Sequence, residues 1–140
     1  MTKLADPRKF MLAGDARFTV VSAKSGTRFT YRVRAADQEG RRPGGPSHFV
    51  SVLTGPDNEA DYGYLGLVRD GAFEHGRKSR ISAGAPSARV FAWFWRATET
   101  GANLDQCEVH HEGRCGRCGR ALTVPASIVS GFGPECIQFV

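Results

Sequence analysis

The sequence lacks any run of about 18 apolar residues and therefore predicts no membrane-spanning helix. Its first residues include basic side chains but no apolar core of about 7–15 residues, so they lack the form of a secretory signal. A Walker loop, a Ser-His-Asp order and a paired-carboxylate signature are also missing. These absences predict a non-enzymatic protein of the cytoplasm without a membrane partner.

Cysteine is scarce, with four residues in a chain of 140. Where no secretory signal is found, a Cys-x2-Cys pair indicates a metal site rather than a disulfide. Cys115 and Cys118 have this spacing, and Gly119 follows them. A glycine at this point admits the backbone geometry that turns amide groups toward the sulfurs. The segment therefore has the form of a zinc knuckle.

A knuckle supplies two ligands, whereas tetrahedral Zn²⁺ takes four. Cys136 follows a Gly-Pro pair and is the predicted third ligand. His111, a short distance before Cys115, is the predicted fourth ligand, and His110 and Cys107 are the alternatives. Neighbouring residues of a strand point to opposite faces, so we expect only one of the two histidines to bind. Four protein ligands close the site and are typical of structural rather than catalytic zinc.

Glycine and proline are frequent, with 17 and 7 residues, and 41% of the residues are hydrophobic. This composition favours α+β structure built of short elements over a helical bundle. Residues 36–47 form a loop by composition. Alternating or apolar runs predict strands at 17–22, 27–34, 48–53, 61–68 and 104–110.

One helix is predicted at about residues 86–99, ended by Gly101. Its apolar side chains recur at helical spacing and cover most of its circumference, so the helix must pack against a sheet. They are Val90, Phe91, Trp93, Phe94, Trp95 and Ala97. The predicted architecture is a small antiparallel sheet, possibly barrel-like, packed on one helix over residues 1–103. A zinc module follows at residues 104–140.

The formal net charge is +5, which suits a polyanionic partner such as nucleic acid. In the strand at 27–34, arginines alternate with apolar side chains, and a solvated sheet face explains this pattern equally well. His48 and His75 lack a nearby nucleophile or carboxylate pattern, and we expect them at the surface or in loops. Aromatic side chains available for base stacking are Phe29, Tyr31, Tyr62 and Tyr64. The predicted nucleic-acid-binding residues are Arg28, Arg32, Arg34, Arg41, Arg42, Arg77, Lys78 and Arg80.

The cysteine-rich segment has a recognisable pattern. Residues 111–120 read HEGRCGRCGR, residues 122–128 read LTVPASI and residues 131–136 read GFGPEC. In these residues the chain resembles a family of small zinc-binding domains of unknown function found in bacteriophage and bacterial proteins. Residues 26–31 and 53–58 also resemble stretches of phage-borne proteins. The resemblance implies zinc and a mobile-element origin without an established activity. Ala126 departs from the acidic residue expected there, which leaves the zinc ligands unchanged.

These observations lead to two hypotheses of different class. The first is a zinc-stabilised, non-enzymatic nucleic-acid-binding protein encoded by a phage or prophage. The second is an inhibitor of a bacterial defence system, of the anti-CRISPR type, which acts by binding a host defence protein. Both place the chain in the cytoplasm of the bacterial host, and no motif supports an enzyme as a third hypothesis.

Overall fold

A computed structural model describes residues 2–4, 6–35, 47–69, 71–101 and 104–140. Within these ranges the strands are β1 (Thr2–Lys3), β2 (Asp15–Ser22), β3 (Arg28–Ala35), β4 (His48–Leu53), β5 (Tyr62–Arg69), β6 (Ala72–His75) and β7 (Cys107–His111). The helices are α1 (Pro7–Met11), α2 (Pro86–Thr100) and α3 (Pro125–Ser130), with short 3-10 helices at Leu104–Gln106 and Cys136–Phe139. The strands form one antiparallel sheet in the order β1-β7-β2-β3-β4-β5-β6. The predicted α+β class is confirmed, but the sheet is open, so the barrel-like alternative is wrong.

The hairpin of β2 and β3 is confirmed. Gly26 in its turn has a φ of 70°, in the left-handed region that favours glycine. Along β3, Tyr31 and Val33 are fully buried, while Arg28 and Arg34 are exposed on the other side. The alternation in sequence thus corresponds to one side of the sheet facing the core and one side facing solvent.

Helix α2 covers the core side of the sheet, and its predicted position is confirmed. It begins at Pro86 and ends at Thr100, and Gly101, with a φ of 73°, caps its C-terminal end. Phe91 and Phe94 are fully buried against the rings of β2 and β3, and the centroids of Phe91 and Tyr31 lie 5.1 Å apart. None of the helices in the described ranges has the length and apolar character needed to cross a lipid bilayer.

Strand β7 lies inside the sheet, between β1 and β2, and pairs antiparallel with both. Residues 104–110 were predicted as strand, and the structure places a 3-10 turn at Leu104–Gln106 before the strand begins. The proposed division after residue 103 therefore separates β7 from the strands with which it pairs. The knuckle cysteines Cys115 and Cys118 therefore follow closely on a strand inside the sheet.

Of the two histidines expected at the surface or in loops, one is buried. His48 is buried on β4, and its Nε2 lies 3.1 Å from the carbonyl oxygen of Leu12. Burial lowers the pKa of His48, against the opposing effect of that hydrogen bond. His75 ends β6, half-buried, with Nε2 2.6 Å from the carbonyl oxygen of Ile81. The expectation for His48 was wrong because its partner comes from a distant part of the chain.

Candidate metal centre and arginine face

The backbone after β7 folds into a tight turn. The Cys115 amide donates to the carbonyl oxygen of Arg120 at 2.8 Å, and the Gly119 amide donates to the carbonyl oxygen of Cys115 at 2.8 Å. Gly119 has a φ of 79°, as the knuckle pattern requires. This turn brings the side chains of Cys115 and Cys118 to the same side, as their spacing predicts.

Cys136 joins the pair from the start of the last 3-10 helix. The sulfur atoms of Cys115, Cys118 and Cys136 all lie within 4.8 Å of one another. Cys115 and Cys136 are buried, while Cys118 is exposed. Three converging thiol groups could hold a metal ion, because thiolates are strong ligands for soft and borderline metals.

The backbone around the cluster favours the ionised form of one thiol. Burial opposes ionisation of Cys115, but hydrogen bonds from the amides of Gly133, Cys118 and Arg117 outweigh it and lower its pKa. The amides of Arg117 and Gly133 each lie 3.4 Å from the Cys115 sulfur. Burial raises the pKa of Cys118, and the neighbouring thiols of Cys136 and Cys115 raise it further. The fixed amides therefore favour the thiolate form of Cys115, which is the form that can bind a metal.

His111, the predicted fourth ligand, is fully buried but makes other contacts. The Gly113 amide donates to its Nδ1 at 2.9 Å, so the proton is on Nε2, which donates to the carbonyl oxygen of Ile128 at 2.6 Å. Its ring also lies 5.8 Å from that of Phe10. Within the described ranges, His111 does not belong to the cluster of sulfurs. Ligation by His111 stays a prediction, and it requires the ring to give up one of these hydrogen bonds.

The two alternative ligands also lie outside the cluster. His110 is on the other side of β7, with Nε2 3.3 Å from a carboxylate oxygen of Glu108. The sulfur of Cys107 is buried, 3.6 Å from the carbonyl oxygen of Leu104. In the part of the chain that the structure describes, the metal-ligand candidates brought together are therefore the three cysteines of the knuckle and the C-terminus.

Helix α1 supports the knuckle, which the sequence analysis missed. A Cβ atom at Gly116 would lie 2.6 Å from the ring of Phe10, and one at Gly131 would lie 2.8 Å from it. Phe10 thus packs where only glycine leaves enough room. The available signal was Asp6 before Pro7, since Asp6 accepts a hydrogen bond from the Lys9 amide at 3.2 Å and begins the helix.

The side of the sheet opposite α2 carries the predicted arginines of β3, and we call this side of β3, β4 and β5 the arginine face. Arg28 and Arg34 are exposed, and neither forms an ion pair with another described residue. Arg32 is half-buried and binds both carboxylate oxygens of Asp15, at 2.9 and 3.1 Å. Two of the three predicted arginines are therefore available to a ligand, whereas Arg32 already has a partner.

The aromatic side chains divide between the two sides of the sheet. Tyr31 is fully buried and donates its hydroxyl to the carbonyl oxygen of Ser87 at 2.7 Å, so its predicted role in base stacking is wrong. Phe29 shares that side. The arginine face instead carries Phe49, which is 46% exposed and pairs across the strands with Arg34. The ring of Tyr64 lies 6.1 Å from that of Phe49, edge to face. The alternation of side chains along β4 in the sequence could have revealed that Phe49 lies on the outer side of the sheet.

The remaining predicted basic residues are not next to these arginines. Arg77, Lys78 and Arg80 are exposed in the segment after β6. Strands β4 and β5 separate β6 from β3, a distance of about 14 Å at the usual strand spacing. Arg41 and Arg42 lie outside the described residues. Among the described residues, the predicted basic side chains thus form two groups, one on β3 and one in the segment after β6.

A buried arginine that the sequence analysis missed connects the arginine face to the knuckle. Arg17 is 4% exposed, and its Nη2 lies 3.2 Å from a carboxylate oxygen of Glu59. The other oxygen of Glu59 lies 3.2 Å from Arg114. Nearby, burial raises the pKa of Tyr62 to about 12, and its hydroxyl donates to Asn58 at 2.6 Å. The sequence placed Arg17 at the start of a strand, and only the fold shows that Glu59 covers it.

Comparison with known proteins finds similarity in the segment that carries the cysteine cluster. Residues 108–137 match a family described as a family of unknown function (DUF6011). The match is less than a quarter of the chain, and it includes most of β7, the knuckle, α3 and Cys136. Neither the curated proteins nor the solved structures contain a match to this chain. The similarity thus coincides with the cysteine cluster and carries no activity with it.

Proposed function

We propose that this chain is a zinc-stabilised protein that binds single-stranded nucleic acid on its arginine face, is encoded by a phage or prophage, and catalyses no reaction. The observation that carries the binding proposal is the pair formed by Arg34 and Phe49 on neighbouring strands, both exposed. A cation beside an exposed ring offers a phosphate contact and a stacking surface at one place. The mobile-element origin rests on the resemblance of residues 111–136, and the location in the bacterial cytoplasm follows from it.

Zinc is the metal that best fits the cysteine cluster. Three converging thiolates, two of them from a tight turn, are typical of structural Zn²⁺, and the amides directed at Cys115 resemble the outer shell of such sites. Bound zinc would crosslink the knuckle to the C-terminal 3-10 helix. His111 would complete a closed site of four protein ligands if its ring turned toward the sulfurs.

The arginine face suits a single strand better than a duplex. Arg28 and Arg34 are separated along β3 by about 20 Å, since each strand residue advances about 3.3 Å. Phe49 and Tyr64 lie on the next two strands, beside Arg34 and the middle of β3. Unpaired bases can lie flat on such rings, whereas the stacked bases of a duplex cannot.

Fluorescence anisotropy with labelled oligothymidine and a duplex, across a salt series, tests the proposal. We expect tighter binding of the single strand, with a log–log salt slope of about −0.7 per phosphate contact. The double variant Arg28→Ser/Arg34→Ser should therefore make the slope shallower by about 1.4. Phe49→Ser should cost about 1–3 kcal/mol of binding with little change of slope, because stacking releases few counterions.

A matched control is the double variant Arg77→Ser/Lys78→Ser, which removes the same charge at the far edge of the sheet. It should bind nearly as the unchanged protein does. Equal losses in both double variants would mean that binding follows net charge alone. Absence of binding at low salt would rule out the nucleic-acid function. Affinity that disappears at physiological salt without preference for one nucleic-acid form would also count against it.

The second candidate is an inhibitor of a bacterial defence system that binds a host defence protein. The observation in its favour is the exposure of large apolar side chains in the C-terminal segment, where Val129 is 75% and Phe139 is 69% exposed. Apolar side chains left open to solvent are available to a protein partner. Copurification of one defence protein, lost in Val129→Ser and Phe139→Ser, would support this candidate. Capture of that protein by the variants would count against it.

A further inference from the structure

A groove of about 1070 Å³ lies between α2 and the tip of the β2–β3 hairpin, away from both the cysteine cluster and the arginine face. Its apolar lining includes Val20 and Phe29 from the sheet and Val90 and Trp93 from the helix. Trp93 is only half-buried, unlike its neighbours Phe94 and Trp95. The indole is thus the part of the aromatic run of α2 that remains available to a ligand.

The rim of the groove is basic. Lys24, Arg89 and Arg96 are exposed along it, against a single carboxylate, Asp105. None of the three cations forms an ion pair within the described ranges of the chain. A rim that carries three cations and one carboxylate has a net positive charge and is complementary to an acidic ligand.

The cations are placed on both sides of the indole. Arg89, Trp93 and Arg96 are at positions i, i+4 and i+7 of α2 and share one side of the helix. The two arginines are about 10 Å apart along the axis, given the rise of about 1.5 Å per residue. Lys24 faces them from the hairpin across the groove. An apolar group beside Trp93 would therefore lie between cations.

We propose that this groove binds an acidic peptide segment of a partner protein, with an apolar side chain beside Trp93 and carboxylates at Arg89 and Arg96. The aliphatic lining favours a peptide over nucleic acid, because Val20 and Val90 offer neither stacking nor hydrogen bonds to bases. An apolar anchor with charges around it is also the usual composition of a peptide-binding groove. The site is independent of the arginine face, so it can be correct whether or not the chain binds nucleic acid.

Fluorescence titration of the whole protein tests this site with a short peptide of glutamates around a central Leu-Phe pair. Two control peptides carry lysine in place of glutamate, or alanine in place of the apolar pair. We expect the acidic peptide to change the tryptophan emission, and both controls to fail. In Trp93→Phe the change should disappear although Trp95 is retained.

Charge reversal in Arg89→Glu/Arg96→Glu should weaken binding of the acidic peptide by at least about tenfold, as should Lys24→Glu from the other side of the groove. The control Arg77→Glu/Lys78→Glu, with the same change of net charge, should bind as the unchanged protein does. Circular dichroism of each variant establishes that it is folded. Equal weakening by the control, equal binding of the alanine peptide, or displacement of the acidic peptide by oligothymidine in a folded protein would overturn the proposal.

Discussion

The sheet with α2 and the C-terminal segment, residues 112–140, are held together by different means. The sheet and α2 enclose a core of aromatic rings, and burial of each large side chain contributes about 1.5–3 kcal/mol. In the described part of the chain, five large hydrophobic side chains are exposed, and four of them belong to the C-terminal segment. They are Val124, Val129, Ile137 and Phe139.

The C-terminal segment therefore obtains little stability from burial. Its buried groups are few, and they include two of the clustered cysteines and Phe132, which packs 5.7 Å from Phe10. A small region without a core usually needs a metal or a disulfide. The contrast leads us to predict that a metal held by the cysteine cluster supplies the stability that the apolar residues of this segment do not.

The largest effect on stability is expected from loss of the metal. Elemental analysis of protein purified without added metal should find one zinc per chain, and Cys118→Ser should lose it. Structural zinc contributes on the order of 10 kcal/mol in small zinc modules. Hydrogen exchange should then show the C-terminal segment opening while β3, β4 and β5 remain protected. Because Cys118 is exposed, lost packing cannot explain a large effect.

Two further variants sharpen this test. Cys107→Ser alters a buried thiol outside the cluster and should leave the zinc content unchanged. Equal effects of Cys107→Ser and Cys118→Ser would mean that the ligand set is wrong. His111→Gln distinguishes the roles of the histidine, since loss of zinc would indicate a ligand. Retained zinc with a stability loss of about 1–3 kcal/mol would indicate that its hydrogen bonds matter instead.

The next effect concerns the core. Phe91→Ala should lower the free energy of unfolding by about 3–5 kcal/mol, because the ring is fully buried between α2 and the sheet. Trp93→Ala should cost distinctly less, since part of this larger side chain faces the groove. Urea unfolding followed by far-UV circular dichroism measures both. Losses of equal size would show that Trp93 belongs to the core.

The smallest effect on stability is expected from Asp15, which connects the sheet to the C-terminal segment. Burial opposes its ionisation, but the hydrogen bond and charge of Arg32 outweigh it and lower the pKa of Asp15 below its ordinary value. A lowered folded-state pKa adds stability above the unfolded-state value, and this stability is lost as the pH falls through the folded value. Asp15→Asn should therefore cost about 1–2 kcal/mol at neutral pH and little in acid. Urea unfolding at the two pH values checks this.

The Asp15→Asn variant bears on the comparison of the sheet with the C-terminal segment, because the backbone of Asp15 connects the two. Its amide donates to the carbonyl oxygen of Gly116 at 3.0 Å, so β2 is bonded directly to the knuckle. Arg32→Gln is the matched variant, because it removes the partner and leaves the carboxylate. An unchanged pH dependence in both variants would contradict the role assigned to this ion pair.

Local sequence patterns were sufficient to predict most of the strands, helix α2 and part of the candidate site. The β2–β3 hairpin, the bounds of α2 and the convergence of Cys115, Cys118 and Cys136 were predicted from spacing and alternation. The burial of side chains whose partners come from distant parts of the chain could not be predicted in this way. Arg17 is covered by a segment that follows β4, and His48 bonds to the end of α1. Spacing along the chain placed His111 near the cluster but could not show the hydrogen bonds that direct its ring elsewhere.

The position of β7 also governs the order in which the molecule can assemble. This strand pairs with β1 and β2, from which it is separated by more than half of the chain. Contacts between such distant segments slow folding, because the entropy of closing the loop is lost before the contacts form. During synthesis on the ribosome, β2 has β3 on one side and an open edge on the other until residue 111 emerges. Since an open strand edge can pair with other chains, this nascent state is exposed to aggregation. The three clustered cysteines emerge afterwards, and a metal ion bound between them would fasten the strand that closes that edge.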